Sequence, residues 1–308
     1  MGGCCAPGTD RGGDAHTFRA TGGTHPAPMV AIPAGSFAMG DESHWAYPGD
    51  GEGPVHDVEL DAFTIDARAV TNAAFAAFID ATGFATDAER FGWSFVFGGF
   101  LPADFPDTRG VVGAEWWRQV FGADWRHPDG PQSTLAARMD HPVVHVSWDD
   151  AQAYCAWTGT RLPTEAEWEC AARGGAAGPF PWGDELEPGG EHRMNVFQGT
   201  FPNGNECADG YAGTAPVDAF APNGFGLYNA TGNVWEWCAD WYGAGYYESS
   251  PSANPHGPAD GTARVMRGGS YLCHASYCRR YRVAARQGSE PGSSTGNLGF
   301  RVAADRAD

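Results

Sequence analysis

Glycine and proline are unusually frequent in this chain and limit what it can fold into. There are 44 glycines and 22 prolines among its 308 residues, about a fifth of the chain, whereas the average usage of the two is about 12%. Glycine weakens helix and strand interiors and proline interrupts them, so most of the chain cannot be regular secondary structure. The 12 Trp, 18 Phe and 10 Tyr residues are typical of a packed protein. We therefore expect a folded protein with long, ordered, irregular segments.

Three segments carry helix start signals, in which a Ser or Thr precedes apolar residues at helical spacing. Two of them also have an acidic residue three positions after the cap, as in a capping box. The predicted helices are 71–80, capped by Thr71; 148–157, capped by Ser147; and 164–173, capped by Thr164. Alternating apolar residues predict a hairpin over 29–40 and a strand over 55–63. Loops and short strands are expected after residue 174.

The chain is predicted to contain one domain after a leader. Residues 1–27 have few apolar side chains and are expected to form a disordered N-terminal leader. Residues 28–305 show neither an internal repeat nor an interdomain linker, so we interpret them as a single domain. Cys4 and Cys5 lie in the leader and are given no role. We expect the protein to be a monomer.

The charge of the chain excludes one large class of function. A formal charge of −19 argues against a nucleic-acid-binding protein, which needs a basic surface. It favours cationic partners, although a soluble acidic protein without such a partner is the commoner case. No apolar run reaches the length of about 18 residues that a transmembrane helix requires, and the polar start does not predict a secretory signal. We therefore expect a cytoplasmic protein, in which paired cysteines are more often catalytic or metal-binding than structural.

The richest chemistry lies in the stretch Arg267-Gly-Gly-Ser-Tyr-Leu-Cys273-His-Ala-Ser-Tyr-Cys278-Arg-Arg-Tyr-Arg282. A structural zinc site would need two more ligands at comparable spacing, and the sequence has none. Two thiols alone suffice for a dithiol/disulfide pair, and two thiolates suit the soft ion Cu(I). The neighbouring arginines would lower the thiol pKa if they pointed inward. A pair of buried, inert cysteines is the remaining alternative.

Two oxygen-rich segments carry the ligand types that calcium prefers, namely amide, carbonyl and carboxylate oxygens. The first consists of Asn195, Val196, Asp209 and Tyr211; the second consists of Asn229, Gly232, Val234 and Glu236. Asn, Asp and Gly are also ordinary turn residues, so plain turns remain the alternative for both.

Two further patterns have both a structural and a functional interpretation. His141 and His145 have the spacing of some iron ligands, but Ser147 stands where the required carboxylate would be, so we interpret both histidines as structural. Residues 91–125 are dense in aromatic side chains. They form either loops anchored to the core or the wall of a groove for a peptide or another ligand.

Motifs spread over residues 29–303 resemble the formylglycine-generating enzymes of the sulfatase-modifying factor family. They are IPAGSFAMG (32–40), HPVVHVSW (141–148), RLPTEAEWE (161–169), NGFGLYNATGNVWEW (223–237), RGGS (267–270) and NLGFR (297–301). Most of these mark a wider fold family that includes iron-dependent sulfoxide synthases and non-enzymatic members. The segment GSYLCHASYC (269–278) is specific to the formylglycine enzymes. The resemblance implies an α+β, C-type-lectin-like fold with little regular secondary structure.

The resemblance also implies an activity, namely aerobic oxidation of the cysteine in a Cys-x-Pro-x-Arg segment of an unfolded sulfatase to Cα-formylglycine. Cys273 and Cys278 match the pair that holds Cu(I) as a bis-thiolate; the substrate thiolate would join as a third ligand, and O2 would be activated at the metal. Ser270 and Tyr277 match polar residues beside the pair, and His274 matches a neighbouring histidine.

Further site residues are implied in the same way. Trp235 and Asn297 match residues that line the site, and Ser94 is a candidate for the groove that binds the peptide. The acidic loop at 41–50 is a candidate counter-charge for the substrate arginine. The two oxygen-rich segments match the calcium sites of the family, with backbone carbonyls serving at Val196, Tyr211, Gly232 and Val234.

The chain departs from secreted vertebrate relatives, which carry structural disulfides in this fold. Val283 and Val302 stand where two of those cysteines would be, which leaves Cys155 without a partner. The other cysteines outside the site and the leader are expected to be free thiols as well; they are Cys170, Cys207 and Cys238. This departure fits a cytoplasmic, prokaryotic-type protein.

Two other functions remain open at this point. One is a non-catalytic module of the same fold that binds a ligand or a protein, and the other is a thiol–disulfide enzyme that uses Cys273 and Cys278 without metal. The cysteine pair discriminates against the first, because a binding module has no need of it.

Overall fold

The computed structural model describes residues 6–8 and 22–306, and it combines a few helices with many short strands. The helices are α1 (Asn72–Thr82), α2 (Asp87–Phe91), α3 (Trp148–Thr158) and α4 (Glu165–Arg173). The strands are β1 (Met29–Ile32), β2 (Gly35–Met39), β3 (His56–Leu60), β4 (Phe63–Asp66), β5 (Trp93–Phe97), β6 (Gly110–Val111), β7 (Ala114–Phe121), β8 (Gly199–Thr200), β9 (Gly204–Asn205), β10 (Trp235–Trp241), β11 (Arg264–Arg267), β12 (Arg286–Ser289), β13 (Leu298–Gly299) and β14 (Ala303–Asp305). Loops connect them, which confirms the α+β expectation with little regular structure.

Capping residues explain where the helices begin. Thr71 Oγ1 accepts the N–H of Ala74 at 3.1 Å before α1, while Ser147 and Thr164 form capping boxes at α3 and α4. These three predicted helices are confirmed. The short α2 was not predicted, although Thr86 begins it with a capping box as well. A five-residue helix is too short to show helical periodicity, so only its cap could have revealed it.

The hairpin predicted over 29–40 is wrong. Its two strands exist, but β1 pairs with β4, Val30 opposite Ile65, and β2 pairs with β3, Phe37 opposite Val58. Alternating apolar residues identify a strand, whereas its partner depends on contacts that are distant in the sequence. The single strand predicted over 55–63 is confirmed over His56–Leu60 as β3, whereas Phe63 begins a separate strand, β4, in another sheet.

A four-stranded sheet positions the residues that the sequence singled out. Its strand order is β12-β11-β10-β13, with β13 parallel to β10 and the other neighbours antiparallel. Strand β11 ends at Arg267, directly before Gly268 and Gly269. The N–H of Trp235, at the start of β10, donates to the Asn297 carbonyl at 2.8 Å. The candidate site therefore lies where these strands end.

The main core cluster joins this sheet to α1 and α3 through aromatic side chains. Its members include Phe75, Tyr154 and Trp237, none of which is measurably exposed. Cys273 and Cys278 belong to the same cluster. Burying one such aromatic side chain contributes about 1.5–3 kcal/mol, so the cysteine pair lies in a strongly stabilised part of the fold. No helix in the described ranges is both long and apolar enough to cross a membrane.

Parts of the predicted leader pack against the domain. Ala6 is buried in the main core cluster and Pro7 is also buried. Farther along, His25 Nε2 lies 2.6 Å from Asp66 Oδ1. The folded structure thus reaches into the leader at these residues. Outside the described residues lie 1–5, with Cys4 and Cys5, and 9–21.

Buried ion pairs tie α4 to the strands that flank the candidate site. Arg267 contacts Glu165 at 3.0 Å and also pairs with Glu169, and Arg286 contacts Glu165 at 2.7 Å. All four side chains are essentially inaccessible to solvent. Charges buried in this way persist only when every partner is present, so the ion pairs make the site depend on α4.

The buried carboxyl group of Asp240 should make the folding stability of the protein depend on pH. Its Oδ2 accepts the N–H of Glu165 at 2.7 Å, and burial, followed by the nearby Glu165 charge, raises its pKa to about 8. The folded protein then keeps this proton up to about pH 8, whereas the unfolded chain releases it near pH 4. The contribution of Asp240 to stability is therefore present at acidic pH and declines as the pH rises to 8.

Asp240→Asn should remove this decline. Relative to wild type, we expect the free energy of unfolding of the variant to rise by on the order of 2–4 kcal/mol between pH 5 and pH 8, measured by urea denaturation. Asp80→Asn, which changes an exposed carboxylate in α1, is the control. It should leave the pH dependence of the free energy of unfolding as in wild type. Parallel pH profiles for Asp240→Asn and wild type would contradict the assigned proton.

Candidate active site

A glycine pair allows the cysteine loop (residues 270–278) to leave β11. Gly268 and Gly269 have φ values of 94° and 74°, which are costly for residues with a side chain. A Cβ at Gly269 would lie 2.7 Å from the Arg280 carbonyl oxygen, which is closer than a Cβ atom comes to non-bonded atoms in proteins. Any side chain at Gly269 would therefore push apart the two ends of the loop.

The two cysteines of the loop lie side by side in the core. Cys273 Sγ and Cys278 Sγ are 3.2 Å apart without a disulfide bond between them, and neither residue is more than 1% exposed. Burial, followed by the neighbouring Cys278, raises the pKa of the Cys273 thiol well above its ordinary value. The thiol thus stays protonated at neutral pH until a cation displaces the proton. A pair of buried sulfurs in this state is suited to a soft metal ion.

The arginines near the loop mostly serve carboxylates rather than the thiols. Arg280 is held by Asp50 through contacts of 2.5 and 3.1 Å, and its Nη1 lies 3.9 Å from Cys278 Sγ. Arg282 pairs with Glu52 at 2.7 Å and with Asp41 at 2.9 Å. Of the arginines that were expected to point toward the thiols, Arg280 is the one that lies near a cysteine sulfur.

These contacts also correct the expected role of the acidic loop. Asp41 and Asp50 belong to the 41–50 segment that was a candidate partner for the substrate arginine. Both already neutralise buried guanidinium groups of the chain itself. They therefore fix the loop against the site and do not leave their charge for a ligand.

Ser270 and Asn297 form a polar pair beside the thiols. Asn297 Nδ2 donates to Ser270 Oγ at 2.9 Å, and the N–H of Ser270 lies 3.4 Å from Cys273 Sγ. Thr295 Oγ1 donates to Asn297 Oδ1 at 2.7 Å. This contact orients the amide so that its NH2 group faces Ser270. All of these side chains are fully buried. The predicted grouping of Ser270 and Asn297 with the cysteines is thus seen in the fold.

Tyr277 lies on the outer side of the cysteine loop. Its hydroxyl donates to the Leu272 carbonyl, and its ring stacks on Phe201 with centroids 4.0 Å apart. His274 is half-buried, and its Nδ1 lies 2.8 Å from Ser276 Oγ. Its ring also packs edge-on against Phe197, with centroids 6.0 Å apart.

Trp235 and Ser94 are both fully buried, but only Trp235 lies next to a residue of the site. Among the described residues, the indole N–H of Trp235 has no hydrogen-bond partner. The Ser94 hydroxyl lies 2.8 Å from Ser294 Oγ and 2.8 Å from His145 Nδ1. Ser94 thus supports the segment that precedes Asn297 and does not face an open groove. His145 is buried too, as expected for a structural histidine.

An open cleft of about 670 Å³ lies between the aromatic segment and the loop after β8. Its lining includes Phe97, Trp116 and Pro202. The Trp116 ring is 5.4 Å from the Tyr277 ring, so the cleft borders the outer side of the cysteine loop. Part of the 91–125 segment therefore forms a groove wall, while Trp117 and Trp125 are buried anchors; both interpretations of the segment apply.

The first oxygen-rich segment has a vacant acceptor. Asn195 Oδ1 is buried without a hydrogen-bond partner among the described residues. Asp209 accepts the N–H groups of Val196 and Tyr211, both at 2.9 Å, through different oxygens. The four residues are thus brought together, with a carboxylate, an amide oxygen and two carbonyls, which fits calcium.

The second segment fits a cation only in part. Asn229 Oδ1 is likewise buried and without a partner in the described ranges. Glu236, however, pairs with Arg301 at 2.6 and 2.7 Å and accepts the indole N–H of Trp168 at 2.7 Å. With Gly232 and Val234 supplying only backbone oxygens, this segment lacks an uncommitted negative charge.

Within residues 6–8 and 22–306, no group of three or more His, Cys, Asp and Glu side chains is arranged to hold a metal ion. Among these residues, the cysteine pair thus has no further side-chain ligands of the kind that complete a four-ligand zinc site. Cys155, Cys170, Cys207 and Cys238 are free thiols, as predicted.

Comparison with known proteins places the whole described fold in one family. The family model described as the sulfatase-modifying factor enzyme 1-like domain matches residues 15–306. The chain belongs to the sulfatase-modifying factor family. This confirms the resemblance seen in the motifs and the fold class that it implied.

Several relatives in the sulfatase-modifying factor family are named formylglycine-generating enzyme. A Streptomyces coelicolor protein named formylglycine-generating enzyme is 60% identical over 279 residues, which cover 90% of this chain and 89% of that relative. One from Thermomonospora curvata with the same name is 58% identical, covering 90% and 93%. The solved structure of PvdO from Pseudomonas aeruginosa is 28% identical with a TM-score of 0.69, covering 94% and 100%.

Sequence reasoning missed two parts of this sulfatase-modifying factor site. Thr295 orients Asn297, and its position two residues before Asn297 was the only available signal. Asp50 holds Arg280 from 230 positions away in the sequence. No local pattern reports such a contact, because it exists only after the chain has folded.

Proposed function

We propose that this chain is a copper-dependent oxidase that converts the cysteine of a Cys-x-Pro-x-Arg segment in an unfolded sulfatase to Cα-formylglycine, with O2 as the oxidant. The observation that carries the proposal is the buried pair of adjacent, reduced cysteines, Cys273 and Cys278, in a chain whose relatives are named formylglycine-generating enzymes. A non-catalytic binding module needs no such pair. A thiol–disulfide enzyme needs an accessible thiolate, whereas burial raises the pKa of Cys273.

The residues around the thiols support this chemistry. Two sulfur donors select Cu(I), and bound Cu(I) would supply the one-electron and O2 chemistry that side chains lack. Ser270 and Asn297 place a hydroxyl and an amide beside Cys273. The aromatic residues around Tyr277 give the outer side of the loop an apolar surface. We place the activity in the cytoplasm, because free thiols are the usual state of cysteine there.

We place the substrate peptide in the open cleft beside Tyr277. Trp116 and Phe97 offer apolar surface to an extended peptide. Asp107 and Glu115 are exposed carboxylates on the same cleft, and either is available to pair with the arginine of the motif. We prefer them to Asp41 and Asp50 of the acidic loop, because those two carboxylates already pair with Arg282 and Arg280.

The proposal is tested by conversion of a peptide. Turning –CH2SH into –CHO with release of sulfide removes two electrons from the peptide, whereas reducing O2 to water takes four, so a thiol reductant must supply the rest. Purified protein is incubated with a Cys-x-Pro-x-Arg peptide, Cu(I), air and dithiothreitol, and the aldehyde is measured by mass spectrometry and hydrazide capture. A peptide with serine in place of the cysteine is the control. Absence of aldehyde with copper-loaded protein would contradict the proposal.

We propose that the first oxygen-rich segment binds Ca²⁺, and removal of the ion should lower stability. At a calcium concentration of about a hundred times the Kd, binding stabilises by about 2.7 kcal/mol, which corresponds to a shift in Tm of about 5 °C for a domain of this size. A chelator should therefore lower the Tm of wild type by about that amount and should not affect Asn195→Ala. Gln132→Ala, which removes an exposed amide, should respond like wild type. If the chelator leaves the Tm of wild type unchanged, the segment does not bind Ca²⁺.

A further inference from the structure

Cys273 and Cys278 would leave a negative charge in the core once they bind Cu(I). Two thiols lose both protons when a metal ion takes their place, so two thiolates and one Cu(I) ion keep one uncompensated negative charge. A buried charge of this kind needs a partner of opposite sign. We propose that Arg280 supplies this counter-charge and that Asp50 fixes and moderates it, so that both residues set the affinity for Cu(I). The inference rests on the proposed function, which names the ion.

The guanidinium group of Arg280 is shared between a sulfur and a carboxylate. Its Nη1 lies 3.9 Å from Cys278 Sγ, whereas its Nε and Nη2 lie 2.5 and 3.1 Å from the two carboxylate oxygens of Asp50. Arg280 is 7% exposed and the two cysteines at most 1%, so water hardly screens the charge from the sulfurs. Arg280 is therefore close enough to stabilise a thiolate at Cys278 while it remains paired with Asp50.

The surroundings of Asp50 hold Arg280 in this position. Asp50 ends the short 3₁₀ helix Pro48–Asp50, and its carbonyl accepts the Tyr242 hydroxyl at 3.0 Å. The guanidinium carbon of Arg280 also lies 4.3 Å from the centroid of the Tyr47 ring, which is a favourable arrangement for a cation. The positive charge is thus placed by contacts that exist before any metal ion binds, and it needs no rearrangement to act.

The two charges affect a monovalent and a divalent ion differently. Arg280 attracts the negatively charged complex with Cu(I), and Asp50, which contacts the nitrogens other than Nη1, repels it. Two thiolates with a soft divalent ion such as Cd²⁺ form a neutral unit, so neither charge changes the affinity for that ion appreciably. Sulfur donors alone suit both ions. A change of charge at Arg280 or Asp50 should therefore alter Cu(I) binding and spare Cd²⁺ binding.

The first test measures Cu(I) affinity by competition with a chromophoric chelator, in the full chain and without peptide. Arg280→Met should raise the Kd for Cu(I) about a hundredfold, because it removes the attraction beside Cys278. Arg280→Lys keeps the charge and should retain most of the affinity. Arg279→Met removes the same charge one residue away, where the guanidinium group lies over the Trp45 ring, and should match wild type.

The second test separates charge from packing. Asp50→Asn keeps the size of the side chain but removes its negative charge, so the Kd for Cu(I) should fall about tenfold, whereas damage to the site would raise it. The double variant Asp50→Asn/Arg280→Met leaves no unpaired buried charge and so should fold even if Arg280→Met does not. Its Kd for Cu(I) should lie between those of wild type and Arg280→Met. The Kd for Cd²⁺, followed by thiolate charge-transfer absorbance, should stay within about threefold in every variant.

Three results would overturn the inference. They are equal Cu(I) affinities of wild type and Arg280→Met, weaker Cu(I) binding by Asp50→Asn, and a Kd for Cd²⁺ that rises in parallel with the Kd for Cu(I), because packing would then explain the loss. If wild type nevertheless binds Cu(I) and forms the aldehyde, the proposed function stands. If the Cu(I) affinities shift as described but wild type forms no aldehyde, the proposed function fails and the inference about the charges stands.

Discussion

Cys278→Ala is expected to lower the rate of formylglycine formation by at least about a thousandfold, because one of two metal-binding sulfurs is removed and a single thiol cannot hold Cu(I) in the same way. The same loss is expected for Cys273→Ala. The fold should survive, since each change removes one small side chain from a large core cluster. The measurement is the initial rate of aldehyde formation, together with Cu(I) affinity in competition with a chelator.

Cys155→Ala is the matched control for these variants. Cys155 is equally buried, and burial raises the pKa of its thiol to about 12, but it lies in α3 and not in the cysteine loop. This variant should keep both the activity and the Cu(I) affinity of wild type. If Cys273→Ala still converts the peptide to the aldehyde, or if Cys155→Ala loses as much activity, Cys273 and Cys278 are not the metal-binding pair.

Arg267→Met is expected to destabilise the protein by about 3–5 kcal/mol, because it leaves Glu165 and Glu169 as buried charges with one partner fewer. The side chain is fully buried and also donates to the Val283 carbonyl at 2.8 Å. Since Arg267 directly precedes Gly268, activity should fall along with stability. The free energy of unfolding from urea titration is the measurement.

The comparison for this prediction is an ion pair at the surface. Arg193 lies 2.9 Å from Glu191, with both side chains more than a third exposed. Arg193→Met should therefore cost less than about 1 kcal/mol. If Arg267→Met costs no more than this control, the buried ion pairs do not stabilise the strands around the cysteine loop as we describe.

Predictions from local patterns succeeded where the physical cause is itself local. Thr71, Ser147 and Thr164 start helices because a side-chain oxygen accepts a backbone N–H three residues later. The closeness of Cys273 and Cys278 also follows from short spacing and a tight turn, in which the N–H of Cys278 donates to the His274 carbonyl at 2.8 Å.

Predictions failed where the partner is distant in the sequence. Strands β1 and β2 pair with β4 and β3 instead of with each other, because strand pairing follows the burial of a whole sheet face. Ser94 looked like a groove residue, yet its hydroxyl is occupied by Ser294 and His145. Asp41 and Asp50 of the acidic loop looked available to a ligand, yet they already pair with Arg282 and Arg280.

The amino-acid sequence alone was enough to predict the family, the irregular α+β fold, and the pair of sulfurs suited to a soft metal, because these depend on motifs, composition and short spacing. Only the tertiary structure decided the environment of those sulfurs. It buried Cys273 and so raised its pKa, brought Asn297 to Ser270 across 27 positions, and packed Ala6 into the same core. The reason is physical: burial and electrostatic pairing are properties of neighbours in space, and most of these neighbours are far apart along the chain.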